Sequence, residues 1–474
     1  MSQWLPIAKI AAGVQAGTLS ARDLVEQALA AIEEKQEFNA IIATIAARAR
    51  ERAAAVDATV KNGHNAGRLA GVPFIAKDNF LAFGAGTTAA SNILKGFNAP
   101  FQATAIERLE QEGAICVAKA NLDAFAHGGS TENSDFFTTK NPADPSRVPG
   151  GSSGGSAAAV MLNLAPFALG TDTGGSIRQP ASFTGSVGLK PTYGLVSRYG
   201  VVAMASSTDV IGPLTRTVED AALVLDVIAG KDPLDSTTID RDETTYVNLP
   251  KDLKGKKVGI VKEYMGEGVD TGVKQVIQTA IDKIKAAGAE VTEVSLPSLP
   301  LSLAVYYIVC PAEVSSNLSR YDGQRFAFTA SDAKNLEESY THSRGQGFGK
   351  EAKRRIMIGT HVLSSGYYDA YYRKAQTVRT KLINEFASAF KNVDFLVGPT
   401  APTPAFKIGE NVHSPMQMYL ADIMTVGASL AGVPAIAIPA GLANNLPVGL
   451  QIISAQKSDR GLLGFAAATQ EAIA

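Results

Sequence analysis

Three side chains in this sequence could together perform a hydrolytic reaction. Ser176 ends the glycine loop DTGGS over residues 172–176, and Ser152 lies in a second loop, GGSSGGS, over residues 150–156. Lys77 ends an apolar run that precedes Ser152 by 75 residues. These residue types provide a nucleophile, a proton relay and an amine base. The sequence therefore predicts serine-dependent catalysis that uses no histidine.

Lysine is the candidate base because a serine hydroxyl is a weak nucleophile until a base removes its proton. The histidines, at positions 64, 127, 342, 361 and 413, form no Ser-His-Asp pattern, and no G-x-S-x-G motif encloses either loop. A lysine amine accepts a proton only when it is neutral, which requires burial. Lys77 fits this requirement because it follows the apolar run GVPFIA. An ordinary ion pair with Asp78 is the alternative.

The two glycine loops have predicted structural roles. Residues 150–156 precede the apolar run AAAV, which indicates a tight turn that leads into a helix. A phosphate-binding loop is the alternative, but the G-x4-G-K-S/T pattern is absent. In the DTGGS loop, successive backbone N–H groups freed by glycine are able to face one point and hold an oxyanion. A simple glycine turn is the alternative there.

The elements that must position these loops alternate between helices and short apolar strands, which predicts an α/β fold with a sheet covered on both faces. Helices are predicted near residues 20–32, 39–58, 103–112 and 155–163, from residue 217, and over 273–287; strands are predicted at 71–76, 114–118, 166–170, 257–262, 290–294, 394–398, 435–438 and 448–453.

One large domain over residues 1–474 is expected, because nothing in the sequence marks a linker or an internal repeat. Its N-terminal helices are expected within about residues 1–60. The region from about 300 to 390 interrupts the alternation and is rich in Tyr, Ser and Arg. It is predicted to be a helical insertion that covers the mouth of the sheet and shapes the substrate site.

Composition excludes several other classes of function. A net charge of −1 and a pI near 6.6 give no basic surface for gripping nucleic acid. The two cysteines, Cys116 and Cys310, are isolated in apolar runs, so neither a disulfide nor a metal site is expected. No membrane span and no signal peptide are expected, which predicts a cytoplasmic protein.

Lys77 and the two loops resemble, in motif and spacing, the amidase signature family. The resemblance implies one amidase-signature domain with a mixed central sheet and a Ser–cis-Ser–Lys triad. Ser176 would be the acyl-forming nucleophile, Ser152 the bridging serine after a cis peptide bond, and Lys77 the base. The backbone of the residues before the nucleophile would form the oxyanion hole: Thr173, Gly174 and Gly175.

Within this family the chain is most similar to the A subunits of tRNA-dependent amidotransferases. The stretches that carry this similarity are GSTENS at 129–134, SRVPGG at 146–151, LKPTYG at 189–194, LSRYDG at 318–323, KRRI at 353–356, SSGYYDAYY at 364–372 and MYLAD at 418–422. The resemblance implies glutamine hydrolysis that supplies ammonia to a B subunit, which uses ATP and Mg²⁺ and holds the tRNA, while a C subunit stabilises the heterotrimer. No cofactor is expected in this chain. The acceptor, Glu-tRNA(Gln), Asp-tRNA(Asn) or both, stays open, as does the activity of the isolated chain.

The glutamine pocket implied by the resemblance needs a base for the carboxylate and an acid for the ammonium. Arg355 is able to grip a carboxylate through two parallel hydrogen bonds, and Asp422 to pair with an ammonium. Tyr307 is expected between them, with Tyr306 and Arg354 as alternatives to Tyr307 and Arg355. Four residues depart from the family pattern, and their effect on glutamine affinity is open: His127, Gly129, Thr184 and Gly427.

Two other functions compete with glutamine hydrolysis. A stand-alone amidase for small aliphatic or aryl amides would use the same triad. A binding or scaffold subunit would use the glycine loops only to hold an anion. A preference for glutamine over a neutral amide such as propionamide separates the first two, and an acyl label on Ser176 excludes the third.

Overall fold

An eleven-stranded sheet forms the centre of the structure, a computed structural model that describes residues 3–241 and 243–473. The strands run in the spatial order β1-β3-β2-β4-β6-β5-β10-β11-β9-β7-β8. They are β1 Ile41–Thr44, β2 Pro73–Lys77, β3 Ile115–Ala120, β4 Phe167–Asp172, β5 Val187–Lys190, β6 Val210–Thr215, β7 Lys257–Val261, β8 Glu290–Val294, β9 Phe395–Pro399, β10 Ala435–Ala443 and β11 Leu446–Ser454. The predicted domain also includes Met1, Ser2, Asp242 and Ala474, which lie outside the described residues.

The sheet is mixed, as expected. β2 runs parallel to β3 and β4, and β7 runs parallel to β8 and β9. The strands between these groups pair antiparallel. Every residue of β2, β3, β4, β9 and β11 is buried, and since successive side chains point to opposite faces, both faces of the sheet are covered. The predicted α/β fold is confirmed.

Helices cover the sheet and form the insertion. They are α1 Ile7–Gln15, α2 Ala21–Glu34, α3 Ala46–Lys61, α4 Thr104–Gln111, α5 Gly154–Met161, α6 Arg178–Thr184, α7 Val218–Ile228, α8 Thr271–Ala286, α9 Ser302–Asn317, α10 Leu336–Gly347, α11 Lys350–Leu363, α12 Lys374–Ala389, α13 Pro415–Leu420, α14 Val426–Ala431 and α15 Asp459–Ile473. The Ser20 hydroxyl caps α2 by accepting from the Asp23 amide, and Thr217 caps α7 in the same way.

Some sequence predictions were wrong or incomplete. The helix predicted over 39–58 begins only at residue 46, because residues 41–44 form β1, an edge strand paired antiparallel with β3. β5 and β6 were not predicted, because their glycines and Pro213 weaken the strand signal. Gly212 is needed there, since a Cβ would lie 2.0 Å from the Leu189 carbonyl oxygen. The terminal helices α1 and α15 were also not predicted individually.

The predicted helical insertion is present as α9 to α12. α9 packs against α11 and α12, with Tyr306, Val309 and Cys310 buried. Within the described residues one helical stretch, Leu299–Arg320, is long and apolar enough to cross a membrane by length and composition, and half of its most apolar window is buried in the fold. A core helix of a soluble protein has the same properties.

Candidate active site

Lys77 lies at the carboxyl end of β2 and is completely buried. Its Nζ is 2.8 Å from Ser152 Oγ, 2.9 Å from Ser153 Oγ and 2.8 Å from Thr171 Oγ1. Thr171 comes from β4, the parallel neighbour of β2, so the carboxyl ends of both strands meet at this amine. The structure therefore brings Lys77 to the predicted bridging serine across 75 residues of chain.

Hydroxyl groups surround the Lys77 amine. The Ser153 hydroxyl donates to the Thr171 carbonyl oxygen at 3.1 Å, so its oxygen must accept from Lys77. Thr171 Oγ1 accepts from Asn79 Nδ2 at 3.1 Å and has a second lone pair for Lys77. Lys77 Nζ thus lies within 2.9 Å of three hydroxyl oxygens, those of Ser152, Ser153 and Thr171. In the neutral amine one of these hydroxyls is able to donate to the lone pair, and the predicted mechanism assigns that role to Ser152.

The electrostatic environment favours the neutral amine. Burial lowers the pKa of Lys77 from 10.5 to about 7, against the opposing effect of the Asp123, Asp172 and Asp209 carboxylates. The alternative of an ion pair with Asp78 is wrong, because the Asp78 carboxylate lies 2.8 Å from Lys119 Nζ. Lys77 is therefore poised to take a proton at neutral pH.

The loop that carries Ser152 is held by specific contacts of its glycines. The Gly151–Ser152 peptide bond is cis, as the family resemblance implies. The Gly151 amide donates to Gln179 Oε1 at 2.9 Å, and a Cβ at Gly151 would lie 2.2 Å from Asp123 Oδ2. Since only glycine fits against this carboxylate, the sequence GGS is required at the turn. α5 begins directly after it, at Gly154.

The loop that carries Ser176 is closed by a buried ion pair. Asp172, at the end of β4, accepts from Arg178 Nη2 at 2.9 Å and from the Ile177 amide at 3.2 Å. Arg178 in turn donates to Gln451 Oε1 at 2.6 Å and to the Thr425 carbonyl at 3.1 Å. These contacts tie both ends of the loop to the sheet, so Ser176 is held at the carboxyl edge with 7% of its surface exposed.

The predicted oxyanion residues lie in this closed loop. Thr173 Oγ1 donates to Asp209 Oδ1 at 2.6 Å, and the Gly174 carbonyl accepts from Thr425 Oγ1 at 2.6 Å. Gly175 has a φ of +147° and lies against Thr425, where a Cβ would come within 2.1 Å of Oγ1. The Gly175 carbonyl accepts from the Gln179 amide at 2.8 Å, so the loop is bonded to the protein at successive residues, and its role as an oxyanion hole stays a prediction.

A backbone hydrogen bond joins the loop of Ser152 to the loop of Ser176. The Ser153 amide donates to the Ser176 carbonyl oxygen at 3.1 Å, so the two loops touch. Within residues 3–241 and 243–473 the Ser176 hydroxyl makes no hydrogen bond. Catalytic hydrogen bonds often tighten only when substrate binds. The proton transfer from Ser176 to Ser152 therefore stays a prediction.

The predicted glutamine-binding residues meet beside this loop. Arg355, on α11, is 2% exposed, and its guanidinium carbon lies 5.3 Å from the centre of the Tyr307 ring. A small cavity of about 80 Å³ is lined by Arg355 and Tyr307, and also by Tyr419 and Gly129. Asp422 borders the Gly129 position, since a Cβ there would lie 3.6 Å from its Oδ1. Burial raises the pKa of Asp422 to about 8, although the positive charge of Arg355 opposes the rise.

The structure also separates the alternatives that the sequence left open. Tyr306 packs on the oxyanion loop, because a Cβ at Gly174 would lie 2.7 Å from its ring. Tyr307 instead lies beside Arg355. Arg354 has a side chain 44% exposed and lines the mouth of the cavity, whereas Arg355 is buried inside. Tyr307 and Arg355 are thus the better placed members of each pair.

Two of the four departures from the family pattern lie near the pocket. His127 is fully buried, and neither ring nitrogen has a partner within the described part of the chain; burial and the neighbouring Arg355 charge lower its pKa well below 6.5. Gly129 faces Asp422. The Thr184 hydroxyl donates to the Pro180 carbonyl within α6, and Gly427 packs against Leu299. The contacts of both residues are therefore with the surrounding fold.

Sequence reasoning missed several residues of this site. Ser153 and Thr171 both contact the Lys77 amine, and Asp123 accepts from the Thr131 amide at 2.9 Å while lying against Gly151. A signal existed for Thr171, since it is a polar residue directly after the strand predicted at 166–170. Ser153 was in the quoted loop, but nothing in the sequence indicates which of its serines faces the amine.

The fold and this constellation of serines and lysine define a class of protein. Residues 23–463 match the Amidase family, and the chain belongs to that family. It is 52% identical over 456 residues to the A subunit of the glutamyl-tRNA(Gln) amidotransferase of Caldanaerobacter subterraneus subsp. tengcongensis, covering 96% of this chain and 93% of the relative.

Solved structures agree with this assignment. The crystal structure of the A subunit of glutamyl-tRNA(Gln) amidotransferase from Thermotoga maritima superimposes with a TM-score of 0.79 at 40% identity, covering 94% of this chain and 91% of that one. The peptide amidase of Stenotrophomonas maltophilia gives a TM-score of 0.82 at 30% identity and covers 98% and 96%. The fold is thus shared by amidotransferase subunits and amidases.

Proposed function

We propose that this chain hydrolyses glutamine as the A subunit of a tRNA-dependent amidotransferase. One observation carries the proposal: Arg355 lines a cavity whose wall at Gly129 lies against the Asp422 carboxyl group, and Thr425 bonds both to the Asp422 carbonyl and to Gly174 in the loop of Ser176. Glutamine carries a carboxylate and an ammonium on one carbon and an amide at the other end. The high identity to named A subunits over nearly the whole chain supports the same function.

The reaction would use the lone pair of Lys77. As Ser176 Oγ attacks the amide carbon, its proton passes to Ser152, and the Ser152 proton passes to the Lys77 amine. The carbonyl electrons collect on the oxygen, which would accept hydrogen bonds from the backbone amides of Thr173, Gly174 and Gly175. The proton then returns along the same path to the leaving nitrogen, the C–N bond breaks, and ammonia departs. Water repeats the sequence on the γ-glutamyl ester and frees glutamate.

Recognition of glutamine would use Arg355 and Asp422 to bind the carboxylate and the ammonium that its α-carbon carries. Arg355 binds the carboxylate, with the Tyr307 ring beside it. Asp422 accepts from the ammonium, and the incoming positive charge favours the ionised form of a carboxyl group whose pKa burial has raised to about 8. A neutral amide makes neither contact. Selectivity for glutamine thus follows from charge.

We also propose that this chain acts in a complex with partner subunits that bind the cofactors. The named relative is one subunit of a larger enzyme, which supports a complex for this chain too. In the proposed assembly a B subunit binds ATP, Mg²⁺ and the tRNA, a C subunit stabilises the heterotrimer, and all three act in the cytoplasm. The near-neutral charge of −1 supports placing the tRNA on the B subunit. No cofactor is proposed in this chain.

The decisive experiment is a glutaminase assay on the chain purified together with the B and C subunits. We expect ammonia release from glutamine, and we expect Ser176→Ala to abolish it while the complex still assembles. An acyl label on Ser176, detected by mass spectrometry with a γ-glutamyl hydroxamate probe, would mark the nucleophile. A fully active Ser176→Ala complex, or the absence of label, would refute the mechanism.

A stand-alone amidase is the second candidate, and the TM-score of 0.82 to a peptide amidase favours it. The triad serves both functions equally, so the substrate must decide. Under the first proposal kcat/KM for glutamine exceeds that for propionamide. A preference for propionamide, together with a chain that purifies alone, would establish the second candidate instead.

A further inference from the structure

Glu351 lies at the centre of a charged cluster in the cavity that holds Arg355. Its Oε1 accepts from Arg355 Nε at 2.9 Å and from the Tyr419 hydroxyl at 3.0 Å. Its other oxygen contacts Arg354. Only 8% of Glu351 is exposed, although it begins a helix at the mouth of the cavity. A buried carboxylate shared by three donors is an organised site.

This cluster fixes the orientation of Arg355. Glu351 occupies the Nε side of the guanidinium, and the Tyr307 and Tyr419 rings, stacked at 3.8 Å, lie 5.3 and 5.8 Å from its central carbon. Among the described residues, the one hydrogen-bond partner of Nη1 is the sulfur of Cys310, at 3.9 Å. A sulfur atom is a weak acceptor. The terminal nitrogens of Arg355 are therefore the part of the guanidinium left for a ligand oxygen.

Glu351 also balances the charge of Arg355. The two side chains form an ion pair at 2.9 Å inside the fold. Without Glu351, the guanidinium of Arg355 would lie buried without an anionic partner, which is costly and would let it turn away. Glu351 thus keeps Arg355 charged, buried and oriented before substrate arrives.

We propose that Glu351 is a positioning residue that makes the enzyme specific for amides bearing an α-carboxylate, by holding Arg355 and Tyr419 in place. The inference rests on the proposed glutaminase function and adds a residue outside the triad and the substrate contacts. Tyr419 takes part because its hydroxyl is tied to the same oxygen and its ring stacks on Tyr307. Glu351 itself touches none of the reacting atoms.

The test compares two substrates in the full chain purified with its partner subunits. Glutamine carries the α-carboxylate, and 4-aminobutanamide is the same molecule without it. For Glu351→Gln we expect KM for glutamine to rise about tenfold or more, the effect of one charge-assisted hydrogen bond, with kcat kept within about twofold. For 4-aminobutanamide, kcat/KM stays within about twofold. Lys353→Gln, an exposed charge change on the same helix, is the matched control and leaves both substrates unchanged.

The outcomes separate this inference from the function on which it rests. Unchanged KM for glutamine in Glu351→Gln overturns the inference alone. Equal losses for both substrates also overturn it, because they indicate general damage to the fold. If the unmodified enzyme hydrolyses glutamine and 4-aminobutanamide equally well, the proposed function itself is refuted, because it requires a pocket that binds the α-carboxylate. Glu351→Asp, which keeps the charge on a shorter side chain, is expected to recover part of the affinity for glutamine.

Discussion

The pH dependence of hydrolysis is the most direct consequence of the surroundings of Lys77. Burial lowers the pKa of its amine from 10.5 to about 7. At about 1.36 kcal/mol for each pKa unit, this is roughly 5 kcal/mol of penalty on the ammonium form. At pH 7.5 an ordinary lysine is about 0.1% neutral, whereas an amine with a pKa near 7 is about three-quarters neutral. The environment thus raises the active fraction by nearly a thousandfold.

The base must be deprotonated to work, so activity is lost as pH falls. With propionamide, which carries no charge, kcat/KM should rise about tenfold per pH unit below 7 and level off above it. Ammonia release measured from pH 5.5 to 9 at constant ionic strength gives this profile. With glutamine a second rise is expected near pH 8, since Asp422 has a pKa of about 8 and binds the ammonium only when ionised.

Two results would refute this reasoning. A flat profile between pH 5.5 and 9 would mean that no group with a pKa near 7 controls the reaction. A midpoint near 10 would mean that the amine of Lys77 is not desolvated in solution. Lys77→Arg provides the control, because a guanidinium stays protonated at every pH of the assay. This variant should be inactive throughout while its melting temperature shows that it is folded.

Three further predictions follow from individual contacts. Thr171→Val removes one of the acceptors that orient the Lys77 amine, so kcat for glutamine should fall about tenfold or more with KM unchanged; an unaltered kcat would exclude this role. Gly175→Ala, at a φ of +147° and against Thr425, should lower the free energy of unfolding by about 2 kcal/mol or more in a urea titration, and an unchanged midpoint would contradict the described packing. Asp422→Asn should raise KM for glutamine at least about tenfold but spare propionamide, and equal effects on both would argue against ammonium binding.

The sequence indicated which residues form the candidate site better than how these residues are arranged. Lys77 was identifiable because a lysine after a buried strand has an unusual environment, and the strand ends where the prediction placed it. The contact of Thr171 with that lysine depends on β2 and β4 being neighbours, which no local pattern specifies. Glu351 was missed for a similar reason: its partner Tyr419 is 68 residues away, and an acidic residue in a first helical turn is common.

The secondary-structure elements also differed in how well the sequence predicted them. Long periodic segments such as α2 and α8 were predicted close to their true bounds, because their apolar faces repeat with the helical period. β1 was missed because its residues fell within the helix predicted over 39–58, and β6 was missed because Gly212 and Pro213 interrupt its apolar run. Gly212 in β6 is needed because the backbone of Leu189 lies directly against it. This contact exists only in the assembled sheet and cannot be predicted from the local sequence.

The buried bridge from Arg178 to Gln451 has a consequence for biosynthesis. The two residues are 273 positions apart, and Gln451 lies in β11, near the end of the chain. A ribosome makes about 5–20 residues per second, so the arginine emerges many seconds before its partner. Until then the nucleophile loop lacks its anchor on the far side of the sheet. Under the proposed function, a nascent chain that still lacks β11 is thus expected to be catalytically inactive.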